Sequence, residues 1–491
     1  MYRRDALRIL GSSLAALPLA GALKSARGNA AEHPNIIFFM TDDQRKDALS
    51  IYGNPVLKTP NVDRIGAEGI RFDEAFVTNA LCAPSRASFL TGLYSHAHGV
   101  ISNASPHFED QPGLRPDQPT FVKHLHDAGY YTGVVGKWHL QSWPDDAFDR
   151  WIVFPGQGEY HDPDMIAHGA PVKMRGHADD ITGDQALAFL DQRPKDKPFV
   201  LLCWFKSPHR AWEPAARHAH AFDDIDIPLP RTFEDKLEGR PDAVHKVTMA
   251  IADMPDFGVS PGLPVEERKR RNLQLLVKNY YRTLLSVDDN VGRVLDYLDA
   301  NALGRNTLVV YSSDNGFFLG ERGMYDKRLM YEPSIRVPFL TRWPARIPAG
   351  RVDREHMVLN VDLAPTLLDV AGVPTPSNLP GSSMLPLMTG GTTSWRDAFL
   401  HEYFEYPAQH CVGMNRGVRT KRWKLIHFWQ QPEEWELYDL QNDPDELRNL
   451  AGDPEHAPLM RKMKAQLQRV RDEVGDRDPP GPAPIAPPCY D

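Results

Sequence analysis

The sequence predicts an α/β fold, with a large, mostly parallel sheet flanked by helices and a smaller C-terminal unit. Two observations support this prediction. Short strand-like runs alternate with helix-like segments over most of the chain, which is typical of parallel sheets. From about Thr392 the pattern changes to short strand-like segments and one amphipathic helix at 458–474, which favours a small antiparallel sheet with one packed helix.

Four runs are predicted to be strands of the large sheet, and their apolar composition indicates burial on both faces. They cover residues 35–40, 131–135, 198–205 and 307–312. Helices are predicted at 61–68, 120–129 and 266–298, and a further helix is predicted to begin near Cys82. Because ligands of open α/β sheets collect at the carboxyl ends of the strands, the polar residues that follow these runs form the candidate site.

Composition is typical of a soluble globular protein, and the length allows either two or more domains or one large α/β unit with a smaller appendage. The chain has 491 residues, of which 42% are hydrophobic and 25% charged. We predict a large domain at 34–390, a C-terminal subdomain at 391–475 and a proline-rich tail at 476–491. The net charge of −9 and the lack of a basic face argue against nucleic acid as a partner.

Residues 1–30 resemble a twin-arginine export signal. Arg3 and Arg4 precede an apolar run at 9–23, and a small-x-small cleavage site follows at 28–30. An ordinary secretory signal or an uncleaved anchor is the alternative. Because the apolar run is too short to favour a membrane span, we expect an exported protein, periplasmic or secreted, without a membrane span.

Four cysteines are too few for a disulfide scaffold. They are Cys82, Cys203, Cys411 and Cys489. If Cys82 is modified, at most one bridge forms within the chain, and the sequence does not say which.

The most informative stretch covers residues 82–92, Cys-Ala-Pro-Ser-Arg-Ala-Ser-Phe-Leu-Thr-Gly. Pro84 suits the first turn of a helix, which places Cys82 at a helix N-terminus. A lone cysteine is most often a buried thiol. This pattern, however, resembles the signature of the formylglycine-dependent sulfatases of the alkaline phosphatase superfamily. The resemblance implies an alkaline-phosphatase-like fold and a formylglycine-generating enzyme as partner, which oxidises Cys82 to formylglycine.

The resemblance covers roughly residues 34–450. Residues 313–321 look like the bacterial sulfatases, and 94–100 followed by Asn103 resembles the N-acetylglucosamine-6-sulfatase branch. Gly99 departs from members of that branch that carry a bulkier residue there, so the sugar specificity stays open.

Two pairs of oxygen-bearing residues follow predicted strands: Asp42 with Asp43, and Asp314 with Asn315. Hard oxygen donors without a Cys/His cluster suit Ca²⁺ or Mg²⁺ rather than zinc. Taken alone, Asp42 with Asp43 would more often form a turn or a helix cap, and Asp314 with Asn315 a turn. The resemblance implies that all four, with the modified Cys82, bind Ca²⁺, with Mg²⁺ as the alternative.

The resemblance also implies the catalytic residues. Arg86 would hold the hydrated aldehyde, Lys137 would orient it, and His139 would take its proton. His209 and Lys327 match sulfate-contacting residues, and either could protonate the leaving group. In the implied mechanism, one hydroxyl of the hydrate attacks sulfur and expels the alcohol. The second hydroxyl then drives collapse to the aldehyde and expels sulfate.

Four further residues are candidates for substrate contact. His96 and His98 would line the substrate pocket, with surface histidines at a helix end as the alternative. His410 and Arg419 would reach the pocket rim from the C-terminal unit, with a purely structural role as the alternative.

The leading hypothesis is a sulfatase acting on sulfated sugars, with the 6-position of N-acetylglucosamine as one candidate. A phosphonate monoester or phosphodiester hydrolase of the same superfamily is an alternative, as is a glycan-binding protein that has lost catalysis. An arylsulfatase or a choline sulfatase is an alternative at the level of specificity.

Overall fold

A ten-stranded mixed sheet lies at the centre of the fold. The computed structural model describes residues 33–103, 113–115, 117–258, 262–391, 393–478 and 489. The predicted export signal at 1–30 lies outside the described residues, as does the tail at 479–488 and 490–491.

Strands and helices alternate along most of the described chain. The strands are β1 (Asn35–Thr41), β2 (Ile70–Phe72), β3 (Ala75–Phe76), β4 (Tyr131–Lys137), β5 (Arg150–Phe154), β6 (Asp164–Ala167), β7 (Ala170–Lys173), β8 (Phe199–Trp204), β9 (Thr307–Ser313), β10 (Phe318–Leu319), β11 (Tyr325–Asp326), β12 (Phe339–Arg342), β13 (Arg351–Asp353), β14 (Val358–Leu359), β15 (Ala398–Tyr403), β16 (Asn415–Thr420), β17 (Trp423–Phe428) and β18 (Glu434–Asp439). The α-helices are α1 (Pro60–Ala67), α2 (Cys82–Thr91), α3 (Ser95–His98), α4 (Phe121–Asp127), α5 (Ala178–Gln192), α6 (Asp242–His245), α7 (Val265–Ala300), α8 (Glu332–Ile335), α9 (Leu363–Ala371), α10 (Leu385–Thr389) and α11 (Ala457–Val474).

The strand order of the large sheet is β13-β2-β12-β9-β1-β8-β4-β5-β6-β7. The five neighbouring strands β9, β1, β8, β4 and β5 are parallel to one another, and antiparallel pairs occur only towards the two edges. The carboxyl ends of β1, β4, β8 and β9 therefore lie along one edge of the sheet. This arrangement confirms the predicted fold class.

The sheet is buried on both faces, as β1 shows. Ile36, Phe38 and Met40 pack into one hydrophobic core, whereas Ile37 and Phe39 pack into the other. Successive side chains of a strand point to opposite faces, so a strand between two cores needs apolar residues at every position. The 36-residue helix α7 covers the second of these cores.

The C-terminal part forms a separate four-stranded antiparallel sheet, β15-β16-β17-β18. Helix α11 packs against it through Met463, Leu467 and Val470. The predicted small antiparallel sheet with one helix is therefore confirmed. The predicted domain boundary after residue 390 stays a prediction.

Cys411 and Cys489 form a disulfide, with their Cα atoms 5.7 Å apart. This bridge joins the end of the chain to the segment that follows β15. Cys82 and Cys203 are free and buried. Among the described residues, no helix combines the length and the apolar character needed to cross a membrane.

We expect Gly136→Ala to destabilise the protein more than Gly129→Ala. Both glycines have a left-handed backbone, with φ of 97° and 94°, so alanine should cost about 1–2 kcal/mol at each position. A Cβ at Gly136 would also lie 2.0 Å from the carbonyl oxygen of Trp204, whereas the space around Gly129 is open to 4 Å. This clash should add about 1–3 kcal/mol to the loss in unfolding free energy, measured by denaturant titration. Equal losses for the two variants would contradict the packing of β4 against β8.

Candidate active site

Polar residues at the carboxyl ends of four parallel strands meet at one edge of the large sheet. They are Asp42 and Asp43 after β1, Lys137 and His139 at the end of β4, His209 after β8, and Asp314 and Asn315 after β9. The backbone holds the strand ends in register, because the N–H of Asp314 donates to the carbonyl of Thr41 and the N–H of Asp42 to that of Ser207. The parallel topology thus brings residues from distant parts of the chain together.

Three buried carboxylates form the centre of this cluster. Oxygen atoms of Asp42, Asp43 and Asp314 lie within 4.8 Å of one another, and all three residues are at most 1% exposed. Burial raises the pKa of Asp43 to about 7, and Asp42 and Asp314 add to the rise while Lys327 opposes it. Asn315 donates its amide N–H to Asp43, but its own Oδ1 is buried without a hydrogen-bond partner. The cluster therefore combines concentrated negative charge with one unpaired amide oxygen.

Three cationic side chains reach these carboxylates. The Arg86 guanidinium lies 3.0 Å from Asp42 Oδ2 and 2.8 Å from Asp314 Oδ2. Lys327 Nζ lies 2.6 and 2.7 Å from the two oxygens of Asp43, and Lys137 Nζ pairs with Asp42. Burial alone would raise the pKa of Asp42, but Lys137, His209 and Arg86 outweigh it and hold this pKa well below its usual value.

Cys82 is the first residue of α2 and points into the carboxylate cluster, which confirms its predicted place at a helix N-terminus. Its Sγ lies 3.5 Å from Asp42 Oδ1 and 3.9 Å from Asp43 Oδ1. Burial, with the charge of Asp42, raises the pKa of the Cys82 thiol well above its usual value. Because the thiolate is the reactive form of cysteine, unmodified Cys82 is a poor nucleophile here.

Two histidines border the cluster. His209 donates from Nδ1 to the carbonyl of Arg210 at 2.8 Å, and its Nε2 lies 3.8 Å from Asp43 Oδ2. His139 Nε2 lies 3.1 Å from the side-chain nitrogen of Gln157. Burial, followed by the charge of Lys137, lowers the pKa of both histidines well below the usual value.

Sequence reasoning missed Gln157. Its side-chain oxygen accepts a hydrogen bond from Lys137 Nζ, and its side-chain nitrogen faces His139. The signal in the sequence is a polar residue between two glycines, Gly156 and Gly158, directly after a strand.

The four candidate substrate residues have different partners in the structure. His410 Nε2 lies 2.9 Å from Asp326 Oδ2, one residue from Lys327, so His410 borders the cluster. Arg419 instead pairs with Glu74 and Glu332 at 3.1 and 3.3 Å.

His96 and His98 sit on α3. His96 bonds Glu402 at 2.8 Å and the carbonyl of Val474 at 3.1 Å, which ties α3 to the C-terminal unit. His98 is 1% exposed, lies 3.1 Å from Ser88 Oγ, and has a pKa lowered to about 3 by burial. These contacts favour a structural role for His98, in the interior rather than at the surface.

Residues 34–373 match the family model described as Sulfatase, and residues 320–473 match the model described as N-sulphoglucosamine sulphohydrolase, C-terminal. The first match covers more than half of the chain. The chain belongs to the sulfatase family. It is therefore a sulfuric ester hydrolase, and the predicted family resemblance is confirmed.

Individual sulfatases resemble the chain over almost its whole length. An N-acetylglucosamine-6-O-sulfatase of Bacteroides thetaiotaomicron is 39% identical over 95% of this chain and 91% of the relative. A solved structure described as a complex with its substrate D-glucosamine-2-N,6-O-disulfate is 38% identical, with a TM-score of 0.84 and coverage of 91% of this chain and 99% of the other. The phosphonate monoester hydrolase of Agrobacterium radiobacter has a TM-score of 0.73 at 22% identity, over 90% of this chain and 96% of the other, and shares the fold.

Proposed function

We propose that this sulfatase hydrolyses sulfate esters of sulfated sugars, that N-acetylglucosamine-6-sulfate is a substrate, and that formylglycine made from Cys82 is the nucleophile. The observation that carries the proposal is the buried cluster in which Cys82 Sγ lies 3.5 Å from Asp42, beside three cationic side chains. The name of the Bacteroides relative and the substrate of the solved neighbour support the choice of sugar.

The environment of Cys82 favours modification over thiolate chemistry. A thiol with a strongly raised pKa is a weak nucleophile, whereas a formylglycine hydrate would supply an attacking hydroxyl and a second hydroxyl for release of sulfate. The N-terminus of α2, where free N–H groups favour negative charge, would stabilise the developing oxyanion. Arg86, fixed between Asp42 and Asp314, would hold the hydrate.

We also propose a divalent cation, Ca²⁺ with Mg²⁺ as the alternative, held by Asp42, Asp43, Asp314 and Asn315 together with the modified Cys82. The residues fit such an ion: the donors are hard oxygens, the three carboxylates crowd together, and Asn315 Oδ1 is buried without a partner. When bound, the ion would neutralise sulfate oxygens and stabilise the alkoxide form of the nucleophile.

The remaining cluster residues would bind sulfate and move protons. Lys137 would orient the hydrate and His139 would take its proton. Lys327 and His209 would contact sulfate oxygens, and these two are the candidates for protonating the leaving alcohol. His209 donates from Nδ1 to a backbone carbonyl, so Nε2 of the neutral ring carries a lone pair and must first take up a proton before His209 can protonate the alcohol. His410, beside Asp326, is our candidate at the pocket rim.

The same observations weigh against one alternative, a glycan-binding protein without catalysis. A binding protein without catalysis has no need for a buried nucleophile position surrounded by paired charges. A phosphonate or phosphodiester hydrolase shares the fold, so the leaving anion has to be tested directly. We further propose that the protein is exported, to the periplasm or beyond, and that a formylglycine-generating enzyme acts on it.

We expect protein co-produced with a formylglycine-generating enzyme to release sulfate from N-acetylglucosamine-6-sulfate, and to hydrolyse the matched 6-phosphate far more slowly. Cys82→Ala should abolish sulfate release because it removes the nucleophile. Cys203→Ala is the matched control, since Cys203 is the other buried free cysteine and lies on β8. Ion chromatography of released sulfate and phosphate would measure both rates. Faster phosphate release, or an active Cys82→Ala variant, would refute the proposal.

We expect Ca²⁺ to stabilise chelator-treated protein by about 2.7 kcal/mol at a hundredfold excess over its Kd. Asp314→Asn should reduce this stabilisation because it removes a charged ligand. Asp288→Asn is the control, because Asp288 is a buried acid that instead accepts N–H bonds from Asn61 and Val62. Thermal unfolding with and without Ca²⁺ would compare the variants. An undiminished Ca²⁺ effect in Asp314→Asn would contradict this metal site.

A further inference from the structure

We propose that Gln157 is a positioning residue that holds Lys137 and His139 in one arrangement and fixes which nitrogen of His139 carries the proton. The inference rests on the proposed sulfatase function, since it concerns two side chains of that site. Gln157 is half-buried and lies in the turn after β5, the strand that pairs with β4.

The local sequence explains how Gln157 is presented. It lies between Gly156 and Gly158, which have φ of 54° and 69°, and the N–H of Gly158 donates to the carbonyl of Pro155 at 3.1 Å. A Cβ at Gly158 would lie 2.8 Å from Phe154. Only glycine suits this left-handed position with so close a neighbour. The tight turn directs the glutamine towards the end of β4.

Contacts with two buried residues, Lys206 and Tyr160, also hold the turn in place. Lys206, 3% exposed, donates from Nζ to the carbonyl of Gln157 at 3.1 Å. Its ammonium lies 4.8 Å from the centre of the Tyr160 ring, and the Tyr160 hydroxyl donates to the carbonyl of His209 at 2.6 Å. The turn therefore connects the segment of His209 with that of His139.

Hydrogen-bond donors and acceptors determine the orientation of the Gln157 amide. A lysine ammonium only donates, so the amide oxygen must face Lys137 Nζ. The amide nitrogen then faces His139 Nε2 at 3.1 Å, and because an amide NH₂ only donates, that Nε2 must carry a lone pair. Neutral His139 therefore carries its proton on Nδ1, which is buried without a hydrogen-bond partner, and the Nε2 lone pair is the one that would accept the proton of the hydrate. One side chain thus sets both the direction of Lys137 and the tautomer of His139.

Two substitutions differ in which hydrogen bonds of Gln157 they remove. Gln157→Glu keeps an acceptor for Lys137 but removes the donor to His139, and Gln157→Met keeps the length but removes both hydrogen bonds. Misplacing catalytic groups lowers turnover more than it weakens substrate binding. We therefore expect both variants to lower kcat about 10- to 100-fold. KM should change less than about threefold, because no contact with substrate is lost.

Gln192→Met is the matched control, because Gln192 also accepts a hydrogen bond from a cation, Arg150, but at the exposed end of α5. It should retain wild-type kcat and KM. In the background of His139→Ala, Gln157→Glu should lower kcat less than about threefold, because the two residues act through the same imidazole.

The tautomer itself can be measured without turnover, by ¹⁵N–¹H NMR of histidine-labelled protein, with the His139 signal assigned by its loss in His139→Ala. We expect Nδ1–H in the wild type and Nε2–H in Gln157→Glu. A wild-type Nε2–H tautomer, an unchanged kcat, a loss confined to KM, or fully multiplicative effects with His139→Ala would each overturn the proposal. If Gln157→Met does not fold, Gln157→Asn, which is too short to span both partners, replaces it.

This design separates failure of the inference from failure of the proposed function. A wild-type protein inactive on every sulfate ester would remove the proposed function, while the NMR result would still decide the tautomer. An active wild type with equally active Gln157 variants would overturn the role of Gln157 alone.

Discussion

The site depends on the balance of charge among three buried carboxylates. Asp42, Asp43 and Asp314 repel one another unless cations intervene, and desolvation makes each charge costly. Arg86, Lys137 and Lys327 offset this repulsion through ion pairs that are nearly or fully excluded from solvent. Asp43 nonetheless keeps a raised pKa, and an amide oxygen stays unpaired beside it. A divalent cation bound here would compensate the negative charge that the three cationic side chains leave, and would give the amide oxygen a partner.

The fold provides the geometry that this balance needs. Parallel strands with apolar residues on both faces bring four strand ends to one edge, so short polar segments from distant parts of the sequence converge there. The long helix α7 supports the edge from behind, since the hydroxyl of Tyr280 donates to the carbonyl of Asp43. Asp43 and His139 are held at positive φ, a conformation that non-glycine residues adopt at a cost. The rigid sheet sustains this strain at the site.

Much of the fold could be predicted because its signals are local. The buried runs of β1 and β8 and the long helix α7 lie within a few residues of their predicted positions. Strands β6, β7 and β15 are among those that the sequence did not predict, because they lack a continuous apolar run. The motif residues could be named, but their pairing could not. Which cation meets which carboxylate, and the part played by Gln157, depend on contacts between segments far apart in sequence.

We infer that this charge-balanced cluster surrounds an oxidised cysteine. The most direct test is intact mass and peptide mapping of the Cys82 peptide from protein made with a formylglycine-generating enzyme. We expect a loss of about 18 Da relative to cysteine, the change from thiol to aldehyde. An unmodified thiol at Cys82 in protein from its native host would contradict this inference, since a buried thiol whose pKa is raised well above its usual value is a weak nucleophile.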